Sequence, residues 1–127
     1  MLDKCKEDAR RVIARRQLCS YMNQTKWRET IRTIKAEMPV PPPYQFQFLT
    51  SRARTGSERD YFCWGSWNDE GFPTDDYYFN IEWMRILAVC QMPGKQIDVR
   101  EQLETILNRF QIPYEKENDI YTIYGYK

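Results

Sequence analysis

The segment Pro39-Val40-Pro41-Pro42-Pro43 divides the chain into two parts with different periodicity. Proline has no backbone N–H and restricts the preceding residue to extended conformations, so a helix cannot continue through this segment. Apolar residues recur at helical spacing before it, whereas apolar and polar residues alternate directly after it. The segment therefore predicts N-terminal helices that are joined by an extended connection to a β-rich remainder.

Two amphipathic helices are predicted before the prolines. The first has basic residues over most of its surface, and the second follows a break at residues 20–25, where Asn23 or Thr25 can cap it. Pro39 ends the second helix. The apolar stripes are Leu2, Cys5, Ala9, Val12 and Ile13 in the first helix, and Trp27, Ile31, Ile34 and Met38 in the second.

Three strands are predicted after the prolines. Tyr44–Phe48 alternates regularly, a second strand lies around Tyr61–Trp67, and Tyr77–Cys90 is the longest. Arg85 interrupts the apolar face of the longest strand, which indicates a bulge or a sheet edge near it. That face consists of Phe79, Ile81, Trp83, Leu87 and Val89, and the opposite face carries Tyr78, Asn80, Glu82 and Met84.

A third helix and two short strands are predicted in the last part of the chain. Pro93-Gly94 breaks the chain, Asp98 can cap the helix, and Pro113 stops it. The segment Tyr114–Tyr126 then predicts two short strands around a turn at residues 117–119. The expected fold is α+β in a single domain, residues 1–127, with an antiparallel sheet of about five strands and three helices mainly on one face.

The composition argues against several classes of function. The 127 residues contain no histidine, which is the commonest acid–base residue near neutral pH, and four cysteines without a C-x-x-C pair. We therefore expect no enzyme activity, no catalytic residue, no metal site and no cofactor. The longest uncharged stretch has 14 residues, whereas a membrane-spanning helix needs roughly 20 apolar ones. With no secretory signal visible, we expect a cytoplasmic protein with reduced thiols and no membrane association.

Charge is segregated along the chain. Residues 1–37 have 10 basic and 5 acidic side chains, a net charge of +5, whereas residues 58–82 have 1 basic and 7 acidic, a net charge of −6. Aromatic residues beside an acidic loop are typical of a protein interface, and such a loop can mimic phosphates at the basic active site of a nuclease. The alternative interpretation is that the acidic loop is a solvated turn and that its aromatic side chains fill the core beneath it. The candidate binding residues are Trp67, Asp69, Glu70, Phe72, Asp75, Asp76 and Tyr78.

Two alternative functions remain open at this point. The basic first helix could bind nucleic acid, because Lys and Arg release counterions from phosphates, although the same pattern is typical of a solvated helix face. A hydrolase would need paired carboxylates, for which Glu82 with Asp69 or Glu70 is the candidate.

Five motifs occur in a fixed order over most of the chain. They are residues 23–29 (NQTKWRE), Pro41-Pro42-Pro43-Tyr44, Ile81-Glu82-Trp83, Ile112-Pro113-Tyr114 and Ile123-Tyr124-Gly125-Tyr126. This set resembles a family of small uncharacterised bacterial proteins, which are similar to the immunity proteins of contact-dependent inhibition and other polymorphic toxin systems. The resemblance implies a protein that binds a cognate toxin domain and covers its active site. The acidic candidate interface indicates that this toxin is a nuclease, and we expect a monomer until the toxin is bound. The resemblance supplies no catalytic residue and no cofactor, and we favour this protein partner over nucleic acid.

Overall fold

The computed structural model describes residues 2–38, 40–50, 67 and 72–127. Its fold is α+β, as predicted, with helices and antiparallel strands. The elements in chain order are α1 (Leu2–Arg16), α2 (Gln24–Glu37), β1 (Tyr44–Phe48), a 3₁₀ helix (Asp75–Asn80), β2 (Ile81–Leu87), β3 (Val89–Met92), β4 (Lys95–Asp98), α3 (Arg100–Arg109), β5 (Glu115–Glu117) and β6 (Ile120–Tyr124).

The strands of the described residues form two separate sheets. The larger is antiparallel with the order β1-β2-β6-β5, and β3 and β4 form a two-stranded hairpin. Pro93-Gly94 is the turn of this hairpin, because Gly94 has a φ of +83° and so supplies the conformation that a type II turn needs after proline. The sequence pattern predicts only a break at Pro93-Gly94, so β4 is an element that the pattern does not indicate.

One face of the larger sheet forms the core. Met84 of β2 pairs with Phe46 of β1 and with Ile123 of β6, and all three side chains are buried. Two of the helices contribute the opposite side of this core. The cluster also contains Tyr44, Ile86 and Tyr121 from the sheet, Trp27, Ile31 and Ile34 from α2, and Leu103, Ile106 and Leu107 from α3.

The prediction of one long strand at Tyr77–Cys90 is wrong. Residues 75–80 form the 3₁₀ helix, β2 begins at Ile81, and residues 89–92 belong to the second sheet. The predicted faces are also wrong, because Met84 is fully buried while Trp83 is only half-buried. Buried and exposed side chains do not alternate strictly from Ile81 onward, because the strand contains a bulge.

The bulge lies at Glu82, and β2 is a central strand. In β1, Gln47 pairs with Trp83 but the next residue pairs with Ile81, so Glu82 is the extra residue of β2. Its carbonyl accepts the backbone N–H groups of Gly125 and of residue 126. Arg85, where a bulge or an edge was predicted, lies in regular pairing on the outer face, with its guanidinium 4.1 Å from the centre of the Trp83 ring.

Of the two predicted caps, that of α2 is confirmed, whereas the N-cap residue of α3 is Val99, whose side chain makes no capping hydrogen bond. Asn23 Oδ1 accepts the backbone N–H of Lys26 at 2.8 Å and caps α2. Asp98 Oδ1 accepts the backbone N–H of Arg100 at 3.1 Å, at the start of α3. The loop predicted at residues 51–60, and the strand predicted around 61–67 apart from Trp67, lie outside the described residues.

Candidate functional site

The acidic residues proposed for binding are only partly described. Asp75 and Asp76 are exposed at the start of the 3₁₀ helix, whereas Asp69 and Glu70 lie outside the described residues. We refer to Asp75 and Asp76 as the acidic turn.

The 3₁₀ helix that carries the acidic turn is fixed at both ends. Arg28 Nε of α2 donates to Asp75 Oδ2 at 3.2 Å, and the side-chain amide of Gln24 donates to the Asp75 carbonyl. At the other end, Asn80 is fully buried and exchanges hydrogen bonds with Thr50, whose backbone N–H lies 3.2 Å from Asn80 Oδ1. The structure therefore holds these carboxylates on a preorganised segment.

The three aromatic residues predicted beside the acidic loop are core residues. Trp67, Phe72 and Tyr78 are 2%, 8% and 5% exposed. The indole N–H of Trp67 donates to the carbonyl of Pro42 at 2.9 Å, and its ring meets that of Tyr44 edge-on. These three side chains therefore pack in the core, and little of their own surface is accessible to a partner.

A second surface, which sequence reasoning missed, is a cleft that we call the tyrosine cleft. It has a volume of about 230 Å³, and Tyr21 at its edge is 46% exposed. The lining residues are Tyr21, Pro113, Tyr114, Glu115, Tyr124 and Lys127. The signal was present in two of the five ordered motifs, Ile112-Pro113-Tyr114 and Ile123-Tyr124-Gly125-Tyr126, because each contributes residues to the lining of this cleft.

Backbone pairing and a polar rim make the tyrosine cleft rigid. The backbone N–H of Tyr21 donates to the carbonyl of Gly125 at 2.9 Å, which joins the α1–α2 connection to the end of the chain. On the rim, Lys127 Nζ lies 2.6 Å from Glu115 Oε2 and 4.8 Å from the centre of the Tyr124 ring. This ion pair holds the pKa of Glu115 below its usual range.

A third surface is a cleft between α2 and the 3₁₀ helix, which we call the α2 cleft. Its volume is about 410 Å³, and its lining residues are Arg28, Ile31, Arg32, Lys35, Ala36, Asp75 and Tyr78. Burial raises the pKa of the Tyr78 hydroxyl, and the neighbouring Asp75 carboxylate raises it further. The hydroxyl is therefore a neutral hydrogen-bonding group in a cleft rich in cations.

Most basic residues of α1 have partners. Lys4 and Arg11 pair with Asp8, Arg16 pairs with Glu82, and Lys6 lies 5.7 Å from the centre of the Phe79 ring. Arg10 and Arg15 are exposed, and neither forms a hydrogen bond or ion pair with another described residue. Glu82, the carboxylate of the hydrolase hypothesis, is thus held by an arginine.

Residues 2–38, 40–50, 67 and 72–127 contain no group of three or more Cys, Asp or Glu side chains arranged to hold a metal ion. The thiols of Cys5, Cys19 and Cys90 are free, and burial raises the pKa of the Cys90 thiol. No helix within these ranges has the length and apolar character needed to cross a membrane.

The fold and its surfaces define a small α+β protein with a fixed acidic turn and two surface clefts. The chain belongs to a family of unknown function, DUF6678, whose sequence profile matches residues 9–127. No curated protein and no solved structure matches the chain.

Proposed function

We propose that this protein is a cytoplasmic immunity protein, monomeric until it binds and neutralises a cognate toxin domain with nuclease activity. The observation that supports this proposal is that the acidic turn and the tyrosine cleft are structurally connected. Exposed carboxylates and exposed tyrosines are the two kinds of group that protein interfaces use for steering and for anchoring.

The connection runs through the start of α2. Gln24 contacts Asp75 of the acidic turn through its side chain, and Tyr21 lies at the edge of the tyrosine cleft. Three extended residues span at most roughly 11 Å, so Tyr21 and Gln24 are close neighbours. A partner that covers about 800 Å² of this chain, the usual size of a stable interface, has room to contact both surfaces.

The mechanism is steric occlusion with electrostatic guidance. The acidic turn attracts the basic substrate groove of a nuclease, which raises the association rate. Tyrosines then fill pockets on the toxin at low entropic cost, because backbone pairing and the Glu115–Lys127 ion pair already order their surroundings. The toxin's active site is covered without any chemical change.

Co-expression with the domain encoded immediately upstream tests the proposal. We expect the chain to restore growth and to co-purify with that domain. Neutralising the acidic turn (Asp75→Asn with Asp76→Asn) should weaken protection, whereas the matched change of two exposed carboxylates elsewhere (Glu101→Gln with Glu117→Gln) should not. Growth arrest together with the absence of a complex would contradict the proposal, provided that the melting temperature shows folded protein.

A nucleic-acid-binding accessory protein is the second candidate. The observation that favours it is that Arg10 and Arg15 project from α1 without an acidic partner among the described residues. Binding of a labelled oligonucleotide should then weaken steeply with salt, and Arg10→Gln with Arg15→Gln should reduce the slope by about 2. Binding that is undetectable at low salt would exclude this candidate.

A further inference from the structure

We propose that the α2 cleft binds the phosphate group of a small phosphorylated ligand. This site uses cations rather than the acidic turn's carboxylates, so the inference goes beyond the proposed function and does not depend on it.

The helix places three cations on one wall of the cleft. Arg28, Arg32 and Lys35 are spaced i, i+4 and i+7, and such residues share one face of an α-helix. Asp75 offsets one positive charge, through its contact with Arg28. The two arginines of the lining outnumber its one carboxylate, so the cleft favours an anion such as a phosphate monoester.

The two guanidinium groups have donors to spare. Arg28 contacts Asp75 through Nε at 3.2 Å, which leaves its two terminal NH₂ groups for another acceptor. Arg32 has no hydrogen-bond acceptor and no ion-pair partner among the residues that the structure describes. Both guanidinium groups are close enough to the Tyr78 hydroxyl to influence it electrostatically. Together they present forked donors, which match phosphate oxygens.

The size of the cleft indicates a ligand larger than a bare phosphate ion. Its volume of about 410 Å³ falls within the range of roughly 300–1,000 Å³ typical of small-molecule sites. Ile31 and Ala36 provide apolar lining beside the cations, and the phenol of Tyr78 provides an aromatic surface. An organic group attached to the phosphate would therefore contact apolar atoms while its phosphate contacts the guanidinium groups.

The anchored 3₁₀ helix keeps the cleft in shape without a ligand. Arg28 and Gln24 of α2 hold Asp75 at the start of the 3₁₀ helix, and the hydrogen bonds between the buried Asn80 and Thr50 hold its end. Binding then requires little reorganisation, which favours affinity for a small ligand.

Calorimetric titration of the isolated protein at low salt and pH 7.5 tests this inference. The probes are phenyl phosphate, inorganic phosphate and benzoate. We expect saturable binding of phenyl phosphate, and about tenfold weaker binding in Arg32→Gln, because a charge-assisted hydrogen bond is lost. Lys95→Gln is the control, since it removes an exposed cation of β4 that does not line the cleft and should leave binding unchanged.

Each outcome of the titration either identifies the ligand or contradicts the assignment of the site. Tighter binding of phenyl phosphate than of inorganic phosphate identifies an ester as the ligand, whereas equal binding with the same Arg32 dependence identifies free phosphate. Equal binding of benzoate would overturn the assignment to phosphate. Undetectable binding, or equal losses in the Arg32 and Lys95 variants, would show that the α2 cleft is not a phosphate-binding site. The titration contains no toxin, so its failure is distinct from failure of the proposed function.

Discussion

Arg16 of α1 and Glu82 of β2 form a two-point ion pair, with N–O distances of 2.9 and 2.8 Å. The Glu82 side chain is only 14% exposed, and it belongs to the extra residue of the bulge in β2. Since bulges redirect side chains, this bulge supplies the carboxylate that fastens the end of α1 to the sheet.

A double-mutant cycle measures how strongly this pair stabilises the fold. Arg109 and Glu37 form an equally bidentate pair, at 2.8 and 3.1 Å, but both side chains are more than 40% exposed. We expect a coupling free energy of about 1 kcal/mol for Arg16–Glu82 and a clearly smaller one for the exposed pair, because solvent screens the latter. Urea unfolding of the single and double variants provides both values. Equal coupling free energies would mean that the burial of Glu82 does not strengthen its ion pair.

Trp67→Ala separates a core role from a binding role. Because the side chain is 2% exposed and its indole N–H is bonded to Pro42, we expect a loss of about 3–5 kcal/mol in the free energy of unfolding. Trp67→Phe keeps most of the ring contacts and should cost less, through the lost hydrogen bond. Thermal denaturation measures both. A Trp67→Ala protein as stable as the wild type would place this ring at the surface.

Gly125 and Gly94 lie in different environments, so alanine at each position tests a different constraint. A Cβ at Gly125 would overlap the backbone carbonyl oxygen of Ile81 and lie 3.4 Å from the Trp27 ring. We expect a loss of about 3 kcal/mol or more. Gly94 has a φ of +83° and open space around it, so alanine there should cost only about 1 kcal/mol of backbone strain. The reverse order in urea unfolding would contradict the close approach at Gly125.

Glu104 should contribute to acid sensitivity. The Tyr121 hydroxyl donates to its carboxylate, and with Lys116 at 3.1 Å this holds the pKa of Glu104 below its ordinary value of 4.5. A lowered carboxyl pKa stabilises the fold above the unfolded-state pKa, and this stabilisation is lost as pH falls through the folded-state pKa.

Tyr121→Phe should therefore make the free energy of unfolding less dependent on pH between about 5 and 3. Tyr124→Phe is the control, because its hydroxyl lies 3.5 Å from Glu115, whose pKa is lowered mainly by Lys127. Urea unfolding at several pH values makes the comparison. Parallel pH curves for wild type and Tyr121→Phe would show that this hydrogen bond does not affect the titration of Glu104.

The sequence was most informative where periodicity reflects burial in a regular element. The stripe of Trp27, Ile31 and Ile34 predicted α2 and its buried face correctly, because each turn of a helix repeats the same environment. The same reasoning failed for Tyr77–Cys90, because a 3₁₀ helix and a bulge shift the alternation. A bulge depends on the pairing with β1 and β6, which lie far away in sequence.

For the candidate site too, the sequence predicted what depends on neighbouring residues and missed what depends on distant ones. Clustering of acidic residues in the sequence identified Asp75 and Asp76, which are exposed. It could not identify the tyrosine cleft, because Tyr21 and Tyr124 meet only through backbone pairing between the α1–α2 connection and the end of the chain. The sequence also could not show that Trp67 is buried, since an aromatic residue beside a polar loop is typical of both a core and an interface.

Binding kinetics with the purified domain encoded upstream test the central claim most directly. The account predicts a complex whose association slows, and loses salt dependence, in Asp75→Asn with Asp76→Asn, while Tyr21→Ala mainly speeds dissociation. Glu101→Gln with Glu117→Gln should leave both rate constants unchanged. A complex whose association and dissociation rates are the same in all these folded variants, or no complex at all, would contradict the account.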